Sequence, residues 1–136
     1  VWSQRGEIDY GLARRATLTA LRTRGRRASE ACDAHPYLLR AAKYHGEPTE
    51  HDCPVCRRDR LTYVTYVFGD ELGQFSGRIK SSRELEEMAR QHGEFRVYVV
   101  EVCQRCCWNH LTRSFVLGDG EVRKPPRRQR TVEDDY

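Results

Sequence analysis

Six stretches of the chain space their apolar residues so as to name a secondary-structure element. Residues 61–68, Leu61-Thr62-Tyr63-Val64-Thr65-Tyr66-Val67-Phe68, are dense in β-branched and aromatic side chains and predict a strand. Alternation would place Leu61, Tyr63, Thr65 and Val67 on one face and Val64, Tyr66 and Phe68 on the other. Over 95–102, Phe95, Val97, Val99 and, in the same register, Glu101 alternate with Tyr98, Val100 and Val102, which predicts a second strand. Residues 111–117 predict a third, ended by Gly118. Between the first two strands, 82–91 predicts a helix. Ser81 or Ser82 opens it, Glu84, Glu86 and Glu87 lie where the helix dipole favours acids, and Gly93 ends it. Leu85, Met88 and Ala89 form its inward side. The glycine-rich 69–77 predicts a loop or bulged hairpin and matches no phosphate-cradling motif.

Two helices are predicted ahead of these strands. Residues 8–24 offer Asp9 as N-cap, an i,i+4 row of Ile8, Leu12, Ala16 and Ala20, and Gly25 as a stop. Pro36 suits the first turn of the next helix, with Asp33 or His35 as cap, Leu38, Leu39 and Ala42 as apolar face and Gly46 as end. Residues 47–52 form a polar connector. The expected organisation is an N-terminal helical segment (1–47), a core with an inserted helix (48–118) and a disordered charged tail (119–136). Segregated charge, Pro125-Pro126 and the absence of apolar periodicity carry the last expectation.

The strands deliver two cysteine pairs, Cys53-Pro54-Val55-Cys56 and Cys103-Gln104-Arg105-Cys106, each with the two-residue gap of a metal knuckle. Together they supply a tetrahedral four-thiolate set suited to structural Zn2+. The 46 residues between the inner cysteines exceed the spacing of a compact finger, so an inserted unit must return the second pair to the first. The expected fold is therefore α+β: a zinc ribbon with a three-stranded antiparallel sheet, an inserted helix and two N-terminal helices. Disulfides, an iron–sulfur cluster and purely redox roles are the competing readings. The polar start of the chain gives no apolar signal run, which favours a cytoplasmic, reducing setting over disulfides. Cys32 and His35 have a C-x-x-H spacing, and Cys107 and His110 follow the second pair closely. Whether any of these four joins a metal is open, with a buried Cys32 and a capping His35 as the simpler reading.

Composition sharpens this picture in two ways. At 136 residues with 38% hydrophobic and 32% charged side chains, the chain has a thin core for its size. A structural zinc contributes roughly 10–16 kcal/mol of apparent binding free energy, comparable to the whole stability of a small domain. The net charge is +4, and only three of the 24 basic residues are Lys. Arginine suits planar, bidentate partners such as phosphate, although a GC-rich codon bias produces the same enrichment. Arg57, Arg58 and Arg60 flank the first pair, Arg105 sits within the second, and Arg113 lies on the following strand.

The run Cys-Asp-x-x-Pro-Tyr-Leu-Leu-Arg-Ala-Ala-Lys at 32–43, Cys-Pro-x-Cys at 53–56, Val-Phe-Gly at 67–69 and Val-Val-Glu-Val-Cys-x-x-Cys at 99–106 resembles the actinobacterial DUF5318 family. The resemblance covers 8–118 and leaves out the Arg-rich tail. It implies an actinobacterial cytoplasmic protein with zinc on Cys53, Cys56, Cys103 and Cys106, and it supplies no activity. It also draws Cys32 into the matched pattern.

Four function classes follow. The first is a non-enzymatic zinc module that engages RNA or a nucleoprotein machine such as the ribosome or RNA polymerase through Arg57, Arg58, Arg60, Arg105 and Arg113. The second is a protein-interaction adaptor presenting Tyr63, Tyr66 and Phe68. The third is a thiol switch in which oxidation at Cys103, Cys106 or Cys107 ejects the metal. An enzyme is the least supported: a catalytic zinc keeps an open position, whereas four cysteines close the shell. His51-Asp52-Cys53 does not match the deaminase pattern. No small-molecule substrate is inferred, and no stretch approaches the length of a membrane span.

Overall fold

In the computed structural model, which describes residues 3–23 and 31–121, the chain forms β1 (Arg5–Asp9), α1 (Gly11–Thr23), α2 (Pro36–His45), β2 (Glu47–Asp52), β3 (Arg60–Phe68), a 3-10 helix (Asp70–Phe75), α3 (Ser82–Gln91), β4 (Phe95–Val102) and β5 (Asn109–Leu117). The strands make one antiparallel sheet in the order β1-β5-β4-β3-β2. The alternating runs become its three central strands. Their register is continuous from Thr62↔Val102 to Phe68↔Arg96, and from Phe95↔Leu117 to Val102↔Asn109 with one bulge after Val99.

Five strands replace the three expected. The two additions are edges: β1 on β5, with all five residues exposed, and β2 on β3, which covers the segment taken as a polar connector. An edge strand is held by backbone pairing on one side only, so it needs no apolar alternation, and Pro48 is tolerated there. The helix expected over 8–24 starts at Gly11, because Ile8 and Asp9 pair with Ser114 and Arg113. Asp9 still marks the turn: its Oδ1 accepts from Gly11 N at 2.7 Å. The expected end at Gly25, the basic residues Arg24, Arg26 and Arg27, and the tail beyond 121 lie outside the described residues. The glycine-rich loop holds the 3-10 helix, which inserts a fully buried Leu72.

Both faces of the sheet are covered. Val67, Val97, Val99, Phe115 and Leu117 pack with Leu72, Leu85, Met88 and Ala89, which places α3 and the 3-10 helix on one face. Val64 and Val102, of opposite parity, pack with Ala41 and Ala42 of α2 on the other. The helix starts follow their caps. His35 Nδ1 accepts from Tyr37 N at 3.1 Å with Pro36 behind it, and Ser81 and Glu84 form a reciprocal capping box that lowers the Glu84 carboxyl, chiefly through the Ser81 amide. Gly46 joins α2 to β2 where a Cβ would collide with Thr62 Cγ2 and the Ala42 carbonyl, so the helix sits hard against β3.

Helix α1 turns a different side inward from the one its i,i+4 row suggested. Leu18 is buried, Leu21 and Arg14 are half-buried, and Ile8 and Leu12 are exposed. Leu18 packs with Leu61, Trp108, Cys53 and Cys103, so α1 covers the cysteine end of the sheet. Among the described residues, no helix is long and apolar enough to cross a membrane.

Candidate metal centre

The two knuckles are built alike. Cys53 N donates to Asp59 O at 2.8 Å and Arg57 N to Cys53 O at 3.1 Å; Cys103 N donates to Trp108 O at 2.8 Å and Cys107 N to Cys103 O at 2.9 Å. In each, the residue after the second cysteine takes a left-handed backbone, Arg57 at φ 53 and Cys107 at φ 69. A glycine there would have announced the turn; an arginine and a cysteine in its place hid it. Backbone amides point at the sulfurs: Val55 N at Cys53 Sγ (3.4 Å), Arg58 N at Cys56 Sγ (3.5 Å) and Cys106 N at Cys103 Sγ (3.4 Å).

The sulfurs of Cys53, Cys56, Cys103 and Cys106 all lie within 4.8 Å of one another. Cys53 and Cys106 are 3.6 Å apart, and Cys56 and Cys103 3.7 Å. A zinc tetrahedron with Zn–S near 2.3 Å sets its sulfurs about 3.8 Å apart, so this donor set matches that ion in type, number and spacing. No disulfide joins any cysteine of the described chain. Burial pushes the Cys103 and Cys106 thiols up. It acts the same way on Cys56, but there the Arg58 amide and the neighbouring thiols outweigh it and bring the group to about 7. Cys56, Cys103 and Cys106 thus hold their protons unevenly, and a divalent ion would take the place of those protons.

Around the sulfurs the packing is closed by residues that their neighbours in sequence only partly announced. Trp108 is fully buried in the cluster of Cys53 and Cys103, where its side chain excludes water, and stacks on His110 with ring centroids 5.9 Å apart. Its Nε1 donates to Glu101 Oε2 at 2.9 Å, and Arg14 Nε donates to Glu101 Oε1 at 2.6 Å. Glu101 is 3% exposed, and its sequence signal was an acid in the apolar register of β4. His35 is occupied as a helix cap, His110 Nδ1 lies 2.7 Å from Leu111 O, and His51 is exposed; none belongs to the sulfur group. Cys32 does reach it, 3.8 Å from Cys106 Sγ.

The matching family model spans residues 1–131 and is described as a family of unknown function, DUF5318. The chain belongs to the DUF5318 family. Uncharacterized proteins of Mycobacterium bovis and Mycobacterium tuberculosis are each 49% identical to it over 120 residues, covering 88% of both chains. No solved structure matches it. The family match runs beyond 118 and takes in the Arg-rich stretch that the motif resemblance left out.

Of the arginines singled out in this DUF5318 chain, Arg57, Arg58, Arg60 and Arg105 are exposed on or beside the knuckles that the sulfurs bring together. Arg113 stands apart, halfway along β5. Its guanidinium is 4.0 Å from Glu7 and lies over the Phe115 ring, 5.1 Å from the centroid. The aromatics proposed for docking are mostly spent internally: Tyr63 and Tyr66 pack against the two cores, and Phe68 is 44% exposed.

Proposed function

We propose that this protein is a non-catalytic module whose cysteine end is held by one structural zinc on Cys53, Cys56, Cys103 and Cys106. The observation that carries this reading is the convergence of four sulfurs on two equivalent knuckles, at the spacing of a zinc tetrahedron. A closed set of four thiolates leaves no position for water or substrate, which is why the role assigned to the ion is structural and the fold is read as a zinc ribbon. When bound, the ion would supply a crosslink between the turn after β2 and the turn after β4. The chain's own residues supply the amides that neutralise the sulfurs and the Trp108 wall that keeps water out.

The partner in this reading is RNA, alone or within a nucleoprotein assembly such as the ribosome or RNA polymerase. Support comes from Arg57, Arg58, Arg60 and Arg105, which are exposed on or beside the two knuckles; Asp59 and Asp52 are the acids near the first three in sequence, and Glu101, the acid nearest Arg105, is buried against Arg14 and Trp108. Four phosphate contacts predict that log affinity for single-stranded RNA falls with log salt at a slope of about −3, at roughly −0.7 per contact. Charge reversal in an Arg57→Glu, Arg105→Glu variant lowers that slope and the affinity. Affinity indifferent to salt and to these substitutions overturns the RNA part of the proposal.

A further inference from the structure

One sulfur of the cluster has a thiol beside it from outside the four. Cys32 lies 3.8 Å from Cys106, with its S–H directed at the Cys106 sulfur. The segment that carries Cys32 is fixed to the second knuckle, since Ala34 N donates to Cys107 O at 3.0 Å and Asn109 Nδ2 to Asp33 Oδ1 at 3.0 Å. Access separates the four cluster cysteines: Cys53 and Cys103 are fully buried, whereas Cys56 and Cys106 are half-buried. A small oxidant therefore meets Cys56 and Cys106 first. Among the described residues, Cys106 is the one of this pair that a thiol outside the cluster contacts.

We propose that Cys32 is a resolving thiol and that Cys32 and Cys106 form a reversible disulfide when the protein meets a hydroperoxide. The inference rests on the metal reading above for its consequence, release of the ion, but not for its chemistry. The Cys106 thiol gives up its proton to solvent and, as thiolate, attacks an oxygen of the hydroperoxide; the O–O bond breaks, and the alkoxide leaves and takes a proton from solvent as alcohol. Cys106 is then a sulfenic acid. The Cys32 sulfur attacks the Cys106 sulfur, the S–O bond breaks, and the departing hydroxide takes the Cys32 proton as water. One thiolate and one thiol lose two electrons, and the hydroperoxide with one proton becomes alcohol and water. The cluster is left with three thiolates, an incomplete shell for zinc, and a dithiol reductant restores it.

Hydrogen peroxide, the full-length protein as purified and tryptic mapping without reduction test this. Cleavage after Arg27, Arg40, Arg105 and Arg113 leaves Cys32 on peptide 28–40 and Cys106 with Cys107 on peptide 106–113, separate from Cys103. The expected product is a crosslink between these two peptides in wild type and in Cys107→Ser, together with loss of metal. The crosslink is absent in Cys32→Ser. Disulfides confined to Cys53–Cys56 or Cys103–Cys106, formed equally in wild type and Cys32→Ser, overturn the proposal, as does a crosslink that disappears in Cys107→Ser. A Cys32–Cys106 crosslink in protein that never held metal would sink the zinc reading and leave this one standing. Bound zinc with no such crosslink does the reverse.

Discussion

Truncating Arg14 to Ala should destabilise the protein far more than a surface arginine would. The Glu101 side chain is 4% exposed, and it holds two charge-assisted or polar bonds, one from Arg14 at 2.6 Å and one from Trp108 at 2.9 Å. Removing one partner of a buried ion pair strands the other and costs about 3–5 kcal/mol. The Arg14 side chain is 30% exposed, so water can partly replace it, which brings the expected loss to about 2–3 kcal/mol. With a urea m-value near 2 kcal/mol/M, that loss moves the unfolding midpoint by roughly 1–1.5 M. Glu101→Gln keeps an oxygen for Trp108 and removes the charge that Arg14 answers, so the double variant should lose less than the two single variants summed. Urea denaturation of the four proteins at fixed metal load reads the cycle. An Arg14→Ala midpoint indistinguishable from wild type, or strictly additive losses, would refute the idea that this pair ties α1 to the cysteine end.

Three shorter predictions follow from the same geometry. Arg57→Gly should raise stability by about 0.5–1 kcal/mol, because glycine accepts the left-handed backbone that arginine occupies at φ 53, whereas Arg57→Val should lower it; chemical denaturation orders the three. Ser81→Ala breaks the capping box of α3 and should cost about 1 kcal/mol, seen as a lower midpoint, while an unchanged midpoint would mean that packing alone holds that helix. Because burial holds the Cys103 thiol above its ordinary range, an incoming ion must displace protons, so zinc affinity should fall as pH is lowered and rise as it is raised. Competition with a chromophoric chelator at two pH values measures this, and pH-independent affinity would contradict it.

The parts of the fold that alternation and caps control were legible in the sequence. Helix α3 and β4 fall where Ser81, Gly93 and the Phe95–Val102 alternation put them, and β3 and β5 extend only slightly beyond their expected starts. The cysteine pairs were legible because two-residue spacing is a local constraint, and their convergence followed once β3 and β4 paired. What stayed hidden depends on tertiary partners. Strands β1 and β2 are specified by the free edges of β5 and β3 rather than by their own polar side chains. The inward side of α1 is chosen by Glu101, which captures Arg14, and by the Trp108 pocket that takes Leu18; the neater row through Leu12 and Ala16 is left facing out. Cys32 is separated from Cys106 by 74 residues, so spacing alone could hint at its relevance but not at its neighbour.

Everything at the cysteine end turns on whether Cys53, Cys56, Cys103 and Cys106 hold one zinc. Elemental mass spectrometry of the purified protein, run beside Cys32→Ser and Cys103→Ser, tests it most directly. One zinc per chain is expected in wild type, retained in Cys32→Ser and lost in Cys103→Ser. Wild-type protein that binds no zinc when it is supplied, or a Cys103→Ser variant that holds it as tightly as wild type, would rule out a four-cysteine zinc site.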